Sequence, residues 1–297
     1  SRKGEIRKRT KALEYQVIKD MSACFSVTLL CEIAGVSRSG YYKWLKNGKN
    51  LSKKQEENQV LQKKIVEIFH QYRGIFGYRR MTVWLRKILK KPINDKRTYR
   101  LMKVLGIQAR IRKKRIFYGK KEACVVSGNH LNREFRATRP NEKWVTDVTY
   151  LPFNQKRLYL SVIFDLYNNE VVSYKLSRYN DFQLVRDTVK AAIQKRKVKG
   201  TLLHSDQGVT YTSRAYHHLL AKHQMRASMS RKGNCLDNAC IESFFGHLKA
   251  ECFHLLTFSQ ASEVEQAIDE YIKFYNTARY QKKLKNLSPI QFRRKAM

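Results

Sequence analysis

Three carboxylates sit where carboxylates are costly. Asp147 falls in the middle of the strand-like run WVTDVTY, Asp206 closes the apolar run LLHSD just before a Gly-containing turn, and Glu242 lies between Ile241 and Phe244 in the helix-like NACIESFFGHLKAE. A carboxylate among apolar neighbours must be paired, hydrogen-bonded or bound to metal. A strand residue, a strand-end residue and a helix residue can converge at one edge of a mixed sheet. There they make an all-oxygen site for hard cations such as Mg²⁺ or Mn²⁺. Two such ions about 3.5–4 Å apart support in-line phosphoryl transfer, one activating the attacking hydroxyl or water and the other stabilising the leaving oxygen.

Other chemistry has weaker support. Asp165, in VIFDLY, is also a carboxylate among apolar residues, and a structural or supporting role suits it better than metal ligation. Asp237 suits the cap of the helix that carries Glu242, and Asp187 and Glu251 are expected to face solvent. Cys235, Cys240, His247 and Cys252 are separated by 4, 6 and 4 residues, which fits no common zinc module. His217 and His218 suit an ordinary helix surface. No Ser/His/Asp set has supporting context and no Gly-rich phosphate loop is present, so ATP use is not expected. The six cysteines are scattered without a CxxC pair, the pattern of a reduced intracellular protein.

The elements that must position these groups come in two kinds. Residues 12–115 look helical and basic. The run 27–45 has a helix-turn-helix pattern: Leu29, Leu30, Ile33 and Ala34 at helical spacing, Gly35 for the turn, Val36 directed inward and Ser37 as cap. The second helix would carry Arg38, Tyr41, Tyr42, Lys43 and Trp44, a basic and aromatic set suited to DNA. Leu61, Ile65, Ile68 and Phe69 form an apolar stripe. Residues 98–105 read as a helix stopped by Gly106, within a second winged or helix-turn-helix module. Residues 116–140 read as a linker. Beyond 141 the period changes. Strand-like runs at 143–153, 156–167 and 170–178, separated by NQ and NN turns, predict an antiparallel meander. A helix at 182–196, a strand at 201–206, a helix at 213–223, a strand-like ASMS and helices at 239–252 and 259–277 follow. The expected fold is an α/β mixed sheet with helices on its faces.

Length and composition bound the rest. The 297 residues, 42% hydrophobic and 11% aromatic, fit two or three domains with real cores and exclude a mainly disordered chain. No run approaches 18 consecutive apolar residues, so no membrane span is expected, and no signal peptide is evident. The start at Ser1 rather than Met suggests a trimmed chain or a piece of a longer product. The net charge is +37, with 36 basic against 10 acidic residues in 1–140 and 25 against 14 in 141–297. Such an excess predicts a polyanionic partner; a merely solvated basic surface or ribosome-like RNA binding is the blander alternative. The expected division is 1–50 and 51–115 as DNA-binding helical modules, 116–140 as linker, 141–255 as the catalytic core and 256–297 as a C-terminal helical extension.

Fifty-eight residues separate Asp147 from Asp206 and thirty-five separate Asp206 from Glu242. This arrangement resembles the catalytic triad of the retroviral-integrase superfamily. The words WVTDVTYL, HSDQGVTYTS, SRKGNCLDNACIESFFGHLKAE and YNTARYQKKLKNLSPIQF, in that order, resemble the second-frame (OrfB) transposases of the insertion-sequence-three family. The resemblance is strong over 144–292 and less specific over 27–115. It implies an RNase H-like fold and a divalent-metal DNA strand transferase. Water nicks the element end, the exposed 3′-OH attacks a phosphodiester, and end joining gives a figure-eight, a circle and then integration. Asp147 and Asp206 would share two Mg²⁺ or Mn²⁺ ions and Glu242 would complete one coordination shell. Lys249, two turns along the same helix face, would contact DNA near the scissile phosphate. Asn238 and Ser243 would orient DNA or supporting groups, as would His204 and Gln207 beside Asp206. Tyr275, Asn276 and Arg279 match the family's YN–R word, with a structural role at least as well supported as DNA contact.

DNA contact is further expected from Arg38, Tyr42 and Lys43, from Arg79, Arg80 and Arg97, and from Arg110, Arg112, Lys113, Lys114 and Arg115. The helical modules would bind the terminal inverted repeats. The partners implied are the element ends and target DNA, a second copy in a dimer or larger synaptic complex, and a small first-frame protein; no sustained heptad zipper is present in this chain. A bacterial cytoplasmic, nucleoid-associated location is expected. Two other classes remain open: a non-catalytic repressor or domesticated transposase, against which the intact triad argues, and a nuclease of the same fold that cuts without joining.

Overall fold

The computed structural model describes residues 2–49, 53–110, 128–132, 134–231 and 235–296. They fall into two units, residues 1–71 with 85–108 and residues 72–84 with 109–297.

The first unit is helical: α1 (Arg2–Met21), α2 (Val27–Ile33), α3 (Arg38–Lys49), α4 (Lys53–Gln71), the last turn of α5 (Tyr78–Leu89) and α6 (Asp95–Val104). The helix-turn-helix pattern is present. Ser37 Oγ accepts the Gly40 N–H at 3.1 Å and so caps α3, and Gly35 takes φ +63° in the turn before it. Ile18, Leu30, Cys31 and Tyr41 are buried together, with Val36 and Trp44 packed against them. Leu29 and Ile33, expected on the apolar face, are instead 46% and 75% exposed. The cause is α1, which starts well before residue 12 and brings Tyr15 and Ile18 against the Leu30–Cys31 side of α2. Tyr41, expected on the DNA side, belongs to this core. In α4 the stripe Leu61, Ile65 and Ile68 is buried, and Phe69 is half-buried. Asn94 caps α6 through the Lys96 N–H, at 2.8 Å. The helix stops where expected, at Gly106 with φ +67°.

The second unit is built on β1 (Lys143–Phe153), β2 (Lys156–Asp165), β3 (Glu170–Ser177), α7 (Phe182–Lys195), β4 (Leu202–Ser205), α8 (Arg214–Lys222), β5 (Arg226–Met229), α9 (Ala239–Glu251), α10 (Ala261–Thr277) and α11 (Pro289–Arg294). The sheet order is β3-β2-β1-β4-β5. The first three strands form the expected antiparallel meander; β4 pairs parallel to β1 and to β5. Asn154 and Gln155 both take positive φ, 38° and 57°, as a two-residue hairpin turn requires. Strand alternation then sorts the two faces. Trp144, Ile163, Val172, Leu203 and Met229 pack with α7 and α8. Val145, Leu160, Val162 and Leu202 pack with α9 and α10.

Two stretches go beyond what the sequence suggested. Residues 128–132, read as linker, are anchored: Leu131 is buried in the α9-side core and donates its N–H to Ser228 Oγ at 3.1 Å. Residues 72–84, read as part of the second basic module, group with the sheet, where Tyr72 and Trp84 meet Phe274 and Tyr280 with ring centroids 5.4 and 5.2 Å apart. Among the described residues no helix is long and apolar enough to cross a membrane.

Candidate active site

The register of two strands creates the site. β1 and β4 run parallel, with Val145 opposite His204. Two residues further along each chain stand Asp147 and Asp206, where β4 ends. Asp147 lies in β1 just beyond the paired residues and Asp206 just past the end of β4, near enough for the charge of Asp206 to act on Asp147. Asp147 shares the alternation of Val145, which packs with the α9 side of the sheet. The carboxyl end of a parallel pair is where open α/β sheets form ligand crevices.

The electrostatics are those of gathered negative charge. Burial pushes the Asp147 carboxyl up to about 7, and the charges of Asp206 and Glu242 push the same way; the Val148 N–H and the Lys249 cation oppose them. The Val148 N–H donates to Asp147 Oδ1 at 2.7 Å. Burial also raises Asp206, against a hydrogen bond from the Gly208 N–H to its Oδ1 at 2.9 Å. Tyr211 and Tyr216, both buried, hold their phenols protonated near the pair: burial raises each, and the charge of Asp206 adds to both.

Helix α9 buries Ile241, Phe244, Phe245 and Leu248 and leaves Glu242 and Ser243 exposed. Glu242 lies within electrostatic reach of Asp147. Among the described residues no three His, Cys, Asp or Glu side chains are gathered tightly enough to hold one ion as they stand. The donor chemistry, carboxylate oxygens that raise one another's pKa, fits a divalent cation, with Asp147 and Asp206 as its core. Two turns on from Glu242, Lys249 donates to Thr149 Oγ1 at 2.7 Å and lies over the Tyr150 ring, 4.9 Å from its centroid. Thr149, Tyr150 and Tyr211 were missed in the sequence. The signal lay in the words WVTDVTYL and HSDQGVTYTS, but adjacency to the carboxylates is not visible without the sheet.

The neighbours of Asp206 hold the strand ends. His204 is buried, with Nδ1 2.9 Å from Ser228 Oγ, and burial lowers its pKa to about 4. Gln207 donates to the Ser230 carbonyl at 2.8 Å. Asp165 accepts the N–H groups of Asn141 and Tyr167, at 2.8 and 2.9 Å, as a structural carboxylate does.

Several expected assignments change. Asp237 does not cap α9. It is buried and accepts from the Arg231 N–H and guanidinium at 3.0–3.2 Å and from Asn129 at 3.0 Å, so it ties loop ends together. Asn238 is buried at 5% exposure, so direct DNA contact is not offered by its side chain. Glu251 does not face solvent: it takes both arms of Arg279 at 2.7 and 2.5 Å, Arg80 at 3.2 Å and the Tyr271 hydroxyl at 3.0 Å. Arg80 is thereby spent on an internal ion pair. Arg97 is bound to Asn58 and Glu57, at 2.9 and 3.0 Å. The YN–R word is structural: Tyr275 is buried, and the Asn276 amide pairs with both the N–H and the C=O of Val171, at 3.0 and 2.9 Å, like one more rung on β3.

The remaining basic candidates lie at the surface. Arg38, Tyr42 and Lys43 are exposed on α3. Arg79 and Arg110 are exposed and line an open recess of about 600 Å³ with His247. Arg112, Lys113, Lys114 and Arg115 lie outside the described residues.

A mixed sheet with paired aspartates at its parallel strand ends, preceded by basic helices, defines a polynucleotidyl transferase of the integrase type. The comparisons agree. Integrase core domain models match residues 137–235 and 242–297, and an HTH-like domain model matches residues 55–115. The putative transposase InsK of insertion sequence element IS150, from Escherichia coli K12, is 44% identical over 279 residues, covering 94% of this chain and 97% of that protein. An uncharacterized transposase-like protein of Haemophilus influenzae is 41% identical over 217 residues, 73% of this chain and 100% of its own length. The transposase InsF of insertion sequence IS3A, from E. coli K12, is 33% identical over 287 residues, 95% of this chain and 99% of that one. The chain belongs to the insertion-sequence-three family of DNA transposases, and its fold is RNase H-like.

Proposed function

We propose that the chain binds the terminal inverted repeats of its insertion sequence and catalyses 3′-end cleavage and strand transfer at Asp147, Asp206 and Glu242. The supporting observation is the half-buried aspartate pair at the strand ends, whose carboxyls are raised by burial and, at Asp147, by the charges of Asp206 and Glu242. Two Mg²⁺ or Mn²⁺ ions would be held by Asp147 and Asp206, with Glu242 completing the set. Bound there, they would supply Lewis-acid stabilisation of phosphoryl charge and a more acidic attacking water or hydroxyl. The protein's own part is to fix the two aspartates by strand register, to bring Lys249 to the scissile phosphate, and to hold buried phenols behind the pair that keep water out. Arg38, Tyr42 and Lys43 on α3, with Arg79 and Arg110, would carry DNA contacts, where phosphate neutralisation sets affinity and base contacts set specificity. Synapsis of two ends calls for a second copy; a first-frame partner and a bacterial cytoplasmic, nucleoid-associated location belong to the same reading.

The test is incubation with labelled element-end DNA and Mg²⁺ or Mn²⁺, wild type beside Asp206→Asn. Joined strands from wild type alone are expected, with DNA binding kept in the variant. Cleavage without joining points to a nuclease or a missing first-frame partner. Tight binding with no metal-dependent chemistry points to a repressor.

A further inference from the structure

We infer that the outer face of the β1–β2 hairpin is a nucleotide subsite of the active centre, with Tyr150 as a stacking platform for a base and Lys156 and Arg157 meeting the adjoining phosphates. The inference depends on the DNA-transferase reading above and adds to it the path of the bound strand.

The observations run outward from the carboxylates. β4 pairs only with Lys143–Val145 of β1. Among the described residues, no strand covers that edge of β1 beyond them. Lys249 reaches across it, bonded to Thr149 on the α9 side and lying over the ring of Tyr150, whose position alternates to the other side. The same ammonium acts on Asp147. It therefore links the carboxylate pair to Tyr150, three residues or about 10 Å further along β1. That span is about three base steps of a stacked strand.

The hairpin's far end is built to continue such a track. Leu151 and Phe153 are buried, whereas Tyr150, between Asp147 and this buried end, is 55% exposed. In the antiparallel register Tyr150 faces Tyr159 and Pro152 faces Arg157, so Tyr150 and Arg157 are diagonal neighbours on the outward face. Lys156, opposite Phe153 at the Asn154–Gln155 turn, alternates to the other face and reaches the recess from the hairpin tip. An open recess of about 530 Å³ is lined by Tyr150, Asn154, Lys156 and Arg157. Lys156 and Arg157 are exposed, and among the described residues no carboxylate is ion-paired with either. An exposed ring flanked by unpaired cations is the equipment of single-strand binding, in which aromatic faces stack bases and basic groups follow the backbone.

The experiment uses element-end DNA carrying 2-aminopurine one, two or three nucleotides from the 3′ end that is to be joined, in a single-stranded extension. Binding to wild type should quench the probe at one of these positions. Tyr150→Leu should abolish that quench and weaken binding of the extended DNA about 5- to 150-fold, the range open to base–aromatic stacking. Tyr150→Trp should retain both. The double variant Lys156→Gln with Arg157→Gln should keep the quench but lower the salt slope of single-strand binding by about 1.4. Unchanged affinity and quench in Tyr150→Leu would overturn the subsite. Asp206→Asn separates the two readings, since it should lose joining and keep the quench. A quench lost with Tyr150→Leu, in a wild type that never joins DNA, would sink the transferase reading alone.

Discussion

At the residue scale the governing fact is that Asp147 holds its proton more tightly folded than unfolded. Its carboxyl is raised to about 7 by burial and by Asp206 and Glu242, against about 3.9 in an unfolded chain. Between those values the folded protein binds the proton that the unfolded chain has released, so this group's contribution to stability falls as pH rises from 4 through 7. Asp147→Asn should remove that fall. The variant should melt several degrees above wild type at pH 8, at about 2–4 °C per kcal/mol for a unit of this size, and match it near pH 4. Thermal melts at the two pH values, without divalent cations, check this; equal melting at pH 8 would deny that burial and like charge strain the ionised Asp147. Addition of Mg²⁺ at pH 8 should raise the wild-type midpoint and leave the variant unmoved.

At the element scale, close approaches matter more than propensities. α3 can lie against α1 because residue 40 is glycine: a Cβ there would run into the Tyr15 hydroxyl and come within 2.9 Å of Ser37 Oγ. Tyr15 in turn packs, with tilted rings, against Tyr41 and Trp44, with centroids 6.2 and 5.8 Å away. Gly40→Ala should therefore cost about 1–3 kcal/mol in the helix-turn-helix, in the range of overpacking, and lower affinity for the element ends while the sheet unit stays folded. Circular-dichroism melts beside end-DNA titration would show it, and a variant as stable as wild type would mean that Tyr15 yields freely. The hairpin strands and both of their turns were legible in the sequence, because alternation and Asn-rich turns are local signals. The buried face of α2 was not. Leu29 and Leu30 are equally apolar, and the choice between them was made by α1.

At the scale of the whole molecule, buried charge ties distant segments together. Glu251 at the end of α9 is claimed by Arg279 after α10 and by Arg80 from the 72–84 segment. Hydrogen bonds and the charges of Arg279 and Arg80 hold its pKa down despite burial. Its contribution is therefore present above the unfolded value and lost as pH falls, the opposite slope to Asp147. Glu251→Gln leaves two guanidinium groups without their counter-charge and should cost about 3–5 kcal/mol, read as a lower urea midpoint. A change under about 1 kcal/mol would reduce the cluster to a solvated surface pair. Glu170 plays the same part elsewhere, bound by Arg196 and, at 2.8 Å, by Arg293 of α11.

The sequence by itself determined the family and the order of elements in the sheet unit, and it singled out the three carboxylates as candidates. Carboxylates in apolar runs at fixed spacing, alternation of period two and a basic surplus are properties of neighbouring residues and of composition. What only the tertiary structure decided is which side chains meet. The parallel pairing of β1 with β4 brought Asp147 within reach of the charge of Asp206, and the early end of β4 left an edge of β1 open for Lys249 to cross. Folding back of the C-terminal segment turned Arg80, Glu251 and Arg279 from surface charges into one internal cluster. These contacts join residues from 28 to 171 positions apart, and separations of that size leave no periodic trace along the chain.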